Sequence, residues 1–421
     1  MDSVLKKNFS YLFLLQNVNY LVPLLLIPYL TRTLGVENFG KIAFAQAFVT
    51  YFTLLTDYGF NFSSTQEVVK SHDNKVELSK IYWSTTVTKL ILAFAGLIIF
   101  LLLILIVPKL QQLYPVLLIA FIAVFSTILF PIWLFQGLEK MSHITWFNVV
   151  PKIFVLGFTF LLVRQQSDYL LAIFLQSAAG FLSGIACTLL ILHRKTVKFY
   201  LPSRSDIRVS LKEGWHFFVS GLATNFYTTT NTVVLGLLTS NATVGIFSAS
   251  EKIIRAVINL FGTIHQVTFP RINKYYHESK EKALAFGSKV LQFMALGTLV
   301  TGILIFVFAP WIVKILFGLP QYAETIIILK ISSILPLFAL CNGVMAYLIM
   351  ITFGLKRYLT RVVGLGGIFN LLVIVPAILL YQAEGVAVVA ILSEVVITIY
   401  LLYIFRKHAI RLKWEWPVSK I

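Results

Sequence analysis

Apolar residues run through this chain in stretches of about twenty, separated by short polar gaps, and within each stretch they are continuous rather than alternating. Twelve stretches have this character: 9–30, 42–62, 81–107, 116–138, 144–163, 169–192, 215–238, 245–269, 290–309, 325–353, 362–381 and 385–405. A helix needs about 20 residues to cross ~30 Å of hydrocarbon. Barrel strands would alternate in polarity, and lipid obliges each segment to satisfy its own backbone hydrogen bonds, so the pattern predicts membrane-spanning helices.

Basic residues then occupy every second gap. Twenty-five of the 35 Lys and Arg fall in gaps on one side, against Arg32, Lys41, Lys109, Arg164 and Lys314 on the other. This asymmetry predicts an even number of spans with both termini in the cytoplasm. Mean hydropathy of +0.86 and 58% hydrophobic residues exclude a soluble core. A net charge of +18 can mean a nucleic-acid partner, but here the excess is spread over short cytoplasmic loops facing anionic headgroups, so membrane lipids are the partner it predicts. Residues 1–16 carry Lys6 and Lys7 before an apolar run without a small-residue cleavage site, and are expected to be retained as part of the first span. Cys187 and Cys341 lie inside spans, where neither a metal site, a disulfide nor a redox cofactor is expected.

The gap at 193–214 is the longest cytoplasmic one, polar, basic and Pro-containing. It predicts an organisation of 1–192 as a first six-helix bundle, 193–214 as linker, 215–405 as a second bundle and 406–421 as a cytoplasmic tail. A shift of 205 residues sets Gly40 on Gly245, Ala43 on Ser248 and Gln46 on Glu251. Six helices return the chain to its starting side, so the halves are predicted to be parallel repeats around a central cavity, the build of an alternating-access transporter. The expected fold class is thus all-α and polytopic. The outer gaps are short and hold only scattered Glu37, Asp168, Glu324 and Glu384. Such loops disfavour a transferase acting on lipid-linked sugar, and without a GxxxxGK[ST] or an HExxH neither an ATPase nor a metalloenzyme is favoured.

Specific chemistry enters at the first two spans. Leu34-Gly35-Val36-Glu37-Asn38-Phe39-Gly40, then Ala43-Phe44-Ala45-Gln46, then Asp57-Tyr58-Gly59-Phe60-Asn61 resemble the opening of the O-antigen repeat-unit flippases known as Wzx, within the superfamily that also holds multidrug exporters and peptidoglycan-precursor flippases. In that family the first helix ends in a turn of roughly LGxxxFG, and the second in DxGxxx before the first cytoplasmic loop. The resemblance implies a flippase, not an enzyme, moving an undecaprenyl-diphosphate-linked oligosaccharide across the bacterial inner membrane, with a polysaccharide polymerase and a chain-length regulator as further partners. The alternative kept open is an ion-coupled exporter of small molecules. Gly35 and Gly40 also suit a tight turn and a close helix start on structural grounds alone.

Ionisable residues at bilayer depth are costly unless they face water or a partner. Lys152 and Arg255 lie near span centres and predict cations of a substrate site for phosphate oxygens. Lys252, Lys89 and Lys330 are further candidates, although Lys89 and Lys330 are close enough to span ends to snorkel. Gln46, Asn225 and Asn231, with Tyr227 and Thr229, offer hydrogen bonds to sugar hydroxyls, although small polar residues also glue helices together. Glu251 precedes Arg255 by one helical turn and reads either as a structural ion pair or as a coupling carboxylate. Glu394 and Asp57 are the other coupling candidates, Asp57 with Asn61 being equally readable as a hydrated helix end. Gly180 and Gly184 form a GxxxG that predicts helix packing. The cations outnumber the acids within spans, which favours an anionic cargo.

Overall fold

The computed structural model describes residues 3–410 and 412; for residues 3–10, Leu12, Phe13, Tyr20, Tyr227 and Gln266 it describes the backbone alone. The side chains of Lys6, Lys7 and Tyr227, and the tail residues Arg411, Lys413 and Lys420, therefore lie outside the described residues. Among the described residues the regular structure is helical without strands. Eight helical segments are long and apolar enough to cross a membrane. Their outward residues are apolar and exposed, Ile98 at 62%, Leu105 at 70% and Leu372 at 72%, which only a lipid environment makes tolerable.

The chain divides into two compact units, 1–222 and 223–421. In the first, α1 (Ser3–Asp57) contains two legs joined at Gly35, where φ 74° and ψ 169° break the helix. That region is essentially restricted to glycine. The polar gap predicted at 31–41 is therefore a one-residue corner, because a residue without Cβ reverses the chain where a loop would otherwise be needed. Val36 opens the second leg and Asn241 opens α11 (Asn241–Glu278) of the second unit, repeating the 205-residue offset.

A second correction concerns Asp57. The sequence places it at the end of a span, but after a break at Tyr58 (φ 45°) and Gly59 (φ 79°) the chain resumes as α2 (Phe60–Lys70). Asp57 thus sits at a helix break, with its carboxylate free to reach sideways. Next come α3 (Lys75–Ile106), the short α4 (Pro108–Gln112) and α5 (Tyr114–Leu129). The last of these is separated by Phe130 and Pro131 from α6 (Ile132–Gly137). Then α7 (Met141–Leu162) and α8 (Tyr169–His193) complete the bundle. Phe52, Phe100 and Phe121 interlock in its interior, with ring centroids 4.5–5.7 Å apart. The GxxxG packs α8 on α5: a Cβ added at Gly184 would lie 2.5 Å from the Leu129 Cβ.

The connection beyond α8 is shorter than predicted, since α9 (Arg204–Thr228) begins inside it. It is also fastened down. Lys198 N donates to Ser79 Oγ at 2.8 Å and Trp83 Nε1 to the Lys198 carbonyl at 3.0 Å. Asp206 accepts from the Ser203 hydroxyl, the Ser203 amide and the Tyr200 hydroxyl at 2.8–2.9 Å and pairs with Lys80 at 3.2 Å. The Ser203 bond above all holds its carboxyl well below the usual carboxylate range.

In the second unit α10 (Thr230–Leu238) follows a break at Thr229. Helix α11 has 38 residues and α12 (Lys280–Leu316) has 37. At 1.5 Å per residue each runs to roughly 55 Å, well beyond the hydrocarbon, and Arg271, Lys274, Lys280 and Lys282 occupy the ends where they meet. Helices α13 (Thr325–Ser332) and α14 (Leu335–Gly343) follow, the latter passing into a π-helical stretch, Val344–Met350. Helix α15 (Leu359–Lys407) again contains two legs, separated at Gln382 (φ 46°, ψ −124°), the gap that the sequence marks between the last two spans.

Candidate functional site

Each unit contains a cavity of its own with polar residues in its lining. In the first, a cavity of ≈ 400 Å³ is lined by Asp57, Asn61, Asn148, Lys152, Gln176 and Ser183 among apolar neighbours. The helix break brings Asp57 against α3 and α5. Its Oδ1 accepts from Lys89 Nζ at 2.5 Å and its Oδ2 from Asn61 Nδ2 at 2.7 Å, while Lys89 Nζ also donates to the Thr127 carbonyl at 3.1 Å. Lys89 is 1% exposed, so it does not snorkel to the inner surface as its position allowed. A charge-assisted pair with Asp57 and a carbonyl replaces water more cheaply than bending the stem out of a packed core. Lys89 lies behind Asp57 and does not line the cavity; Asp57 does.

Lys152 does line it. Its Nζ donates to Asn19 Oδ1, and among the described residues no carboxylate lies within ion-pair distance of it. The residue before it, Pro151, explains the local backbone. Proline has no N–H, which releases the carbonyl four residues back, and that carbonyl, on Phe147, accepts the Ser183 hydroxyl from α8. Gln176 in the lining accepts at its Oε1 from Gln46 Nε2 at 2.9 Å.

In the second unit a cavity of ≈ 90 Å³ is lined by Thr228, Asn231, Glu251, Arg255, Ser332 and Glu394 among others. Glu251 Oε1 accepts from Arg255 Nε at 2.8 Å and pairs with Nη2 at 2.6 Å. Arg255 Nη2 also donates to the Thr228 carbonyl at 2.9 Å, at the break that ends α9. Thr232 Oγ1 donates to Glu251 Oε2 at 3.3 Å. Glu394 has a different setting: Asn342 Nδ2 donates to its Oε2 at 2.7 Å and to its carbonyl at 2.9 Å, and no cation stands within ion-pair distance among the described residues. Asn231 is 4% exposed, and its Oδ1 has no hydrogen-bond donor among the described residues.

Of the sequence candidates, Asn231, Glu251, Arg255 and Glu394 thus converge in one cavity, while Lys152 and Asp57 meet in the other. Lys252 and Lys330 line neither; Lys330 lies over the Phe306 ring at 5.5 Å. Asn225 accepts from Thr229 Oγ1 at 2.9 Å and belongs to the helix break. The sequence reading missed Asn19, Asn148, Gln176 and Asn342. All are polar residues inside apolar spans, the signal that identified Asn225 and Asn231, so applying that rule to every buried amide would have found them.

A polytopic helical protein with broken helices and polar residues lining open cavities has the architecture of the membrane transporters. The comparisons agree. Residues 5–276 match the polysaccharide biosynthesis protein family. A relative from Escherichia coli (strain K12), named "Putative O-antigen transporter", is 32% identical over 96% of this chain and 97% of its own length. One of the same name from Shigella dysenteriae is 32% identical over 94% of this chain and 99% of its own. Among solved structures, the lipid II flippase MurJ in its inward closed conformation superposes with a TM-score of 0.76 at 14% identity, covering 95% of this chain and 87% of that one. An inward-facing multidrug MATE transporter gives 0.66, also at 14% identity, over 93% and 98%. These structural likenesses concern the fold. The sequence relationships place the chain itself: it belongs to the polysaccharide biosynthesis protein family of multi-pass membrane proteins.

Proposed function

We propose that the protein is a flippase, not an enzyme, that carries an undecaprenyl-diphosphate-linked oligosaccharide, an O-antigen or related repeat unit, from the inner to the outer leaflet of the bacterial inner membrane by alternating access. The observation that carries this reading is the near full-length relationship to the O-antigen transporters. It is supported by the cavity cation Lys152, which has no carboxylate partner among the described residues and suits phosphate oxygens. Counting both legs of α1 and of α15, and adding the more polar α9–α10 and α11, gives twelve spans. The boundary between two six-helix halves then falls near 193–214, with both termini in the cytoplasm. The substrate-binding set in this reading is Lys152 and Arg255, with Asn225 and Asn231 for sugar hydroxyls. Lys252, Lys89 and Lys330 contribute positive potential. Glu394 and Glu251 are the coupling carboxylates, and Asp57 serves Lys89 first. A polysaccharide polymerase and a chain-length regulator would act on the delivered unit.

Deleting the gene should abolish surface polysaccharide while lipid-linked repeat units accumulate on the cytoplasmic side. Loss of surface glycan without such accumulation would place the block elsewhere in the pathway. In proteoliposomes an imposed pH gradient should change flipping by the parent protein, and Glu394→Gln should flatten that dependence; flipping indifferent to the gradient would leave the carboxylates structural. For topology, single cysteines at Gln321 and Ser205, in a background lacking Cys187 and Cys341, should react differently with an impermeant thiol reagent applied outside. Labelling at Ser205 alone would invert the orientation.

A further inference from the structure

The polar cavity of the first unit has an apolar neighbour. A groove of ≈ 1050 Å³ opens between α5, α7 and α8, walled by Phe125, Trp146, Phe154, Phe158, Phe174 and Phe181 over a floor that includes Ala178 and Ala186. Its rim is open, with Trp146 51%, Phe154 60% and Phe158 47% exposed. Two other outward faces differ in kind, although α12 also exposes Phe293, Phe306, Phe308 and Trp311. The exposed side chains of α3 and α15 are mainly Leu and Ile, whereas here large rings stand around small floor residues and leave a channel.

The groove and the cavity adjoin. Pro151, Val155, Ala179 and Ser183 line both, so the seam of α7 against α8 is what divides them. That seam is the one at which the carbonyl released by Pro151 accepts the Ser183 hydroxyl. One residue further on, Lys152 stands on the cavity side. A concave aromatic surface and an ammonium group are thus held on the same two helices, on opposite sides of one seam. A molecule with an anionic head and a long apolar chain fits this juxtaposition.

We propose that the groove holds the head-proximal part of the cargo's polyisoprenoid tail while the diphosphate lies across the seam at Lys152; this rests on the cargo reading given above. The occupant is an isoprenoid rather than an ordinary acyl chain because each five-carbon unit carries a methyl branch and a flat double bond. These present faces and edges to aromatic walls, where a straight saturated chain makes fewer contacts. The tail would then never have to leave an apolar surface while the head crosses.

The test uses the full-length protein in phospholipid nanodiscs and a diazirine-bearing polyprenyl diphosphate without sugar. The same diazirine on phosphatidylglycerol serves as comparison. After irradiation, mass spectrometry should find the polyprenyl adducts within 146–158 and 174–182, displaced by unlabelled undecaprenyl diphosphate and not by phosphatidylglycerol. Ala178→Trp and Ala186→Trp, which fill the floor, should each lower those adducts roughly tenfold, the change expected if about 1.4 kcal/mol of binding is lost. Their labelling by the phosphatidylglycerol probe on other faces should remain that of the parent, showing that they fold. Equal marking of the groove by both probes, or polyprenyl adducts on another face with binding intact, would overturn the groove assignment and leave the cargo reading standing. A folded protein that binds the polyprenyl diphosphate nowhere would overturn both.

Discussion

Asp57→Ala should remove most of the folded protein from the membrane. Lys89 Nζ lies 2.5 Å from the Asp57 carboxylate, and the Lys89 side chain is 2% exposed while that of Asp57 is 31% exposed. Forming such a pair gains little net stability, because Lys89 is stripped of water and Asp57 gives up much of its own. Removing one member is another matter, since the remaining charge stays buried without its partner, at a cost of about 3–5 kcal/mol. The Thr127 carbonyl at 3.1 Å can accept from the ammonium but cannot neutralise it. The neutral pair Asp57→Asn with Lys89→Met should therefore recover much of the folded yield that Asp57→Ala loses. Fluorescence-detected gel filtration of detergent extracts, with a thermal ramp, measures both. An Asp57→Ala protein as abundant and heat-resistant as the parent would show that Lys89 finds water or another partner, and the pair would lose its structural importance.

The second large effect concerns transport. Lys152→Ala should abolish surface glycan at normal protein level, and Arg255→Ala should do the same. Lys152 is held by the amide oxygen of Asn19 rather than by an acid, so its charge remains available to a phosphate. Arg255 is engaged with Glu251 and the Thr228 carbonyl, yet its side chain is 45% exposed. A guanidinium of five donors can keep these bonds and still offer others. Hydrogen bonds to charged groups contribute about 1.5–3 kcal/mol each, so losing one should weaken cargo binding by roughly ten- to a hundredfold. Arg255→Lys should retain part of the activity, because the charge survives and the planar fork does not. Surface glycan measured alongside membrane protein level decides the matter, and full activity in both alanine variants would remove these residues from the site.

The two predictions differ in how they could be reached. That Lys152, Arg255, Glu251 and Glu394 line cavities rather than face lipid was legible in the chain, because an ionisable residue in the middle of an apolar run has no inexpensive place to go. The Glu251–Arg255 pair was equally legible, being one helical turn apart on one helix. Lys89 was misplaced for the same reason. Its position near a span end permitted snorkelling, and the acid of its own helix, Glu77, is about three turns away, whereas Asp57 lies 32 residues away on another element.

The sequence by itself determined the apolar spans, the breaks at Gly35 and near Gln382, the 205-residue echo between halves and the residues too polar for lipid. Each of these follows from hydrophobicity, charge or backbone freedom read along the chain. Only the tertiary structure decided that Asn19 holds Lys152 from 133 residues away and that Asn342 holds Glu394 from 52. It alone decided that Asn231, with a buried oxygen lacking a donor among the described residues, lines the cavity of Glu251, and that an aromatic groove backs onto the cavity of Lys152. The physical reason is that solvation is a property of each residue and leaves its mark locally. Pairing is a property of how helices pack, and many packings bury the same apolar faces while bringing different polar groups together.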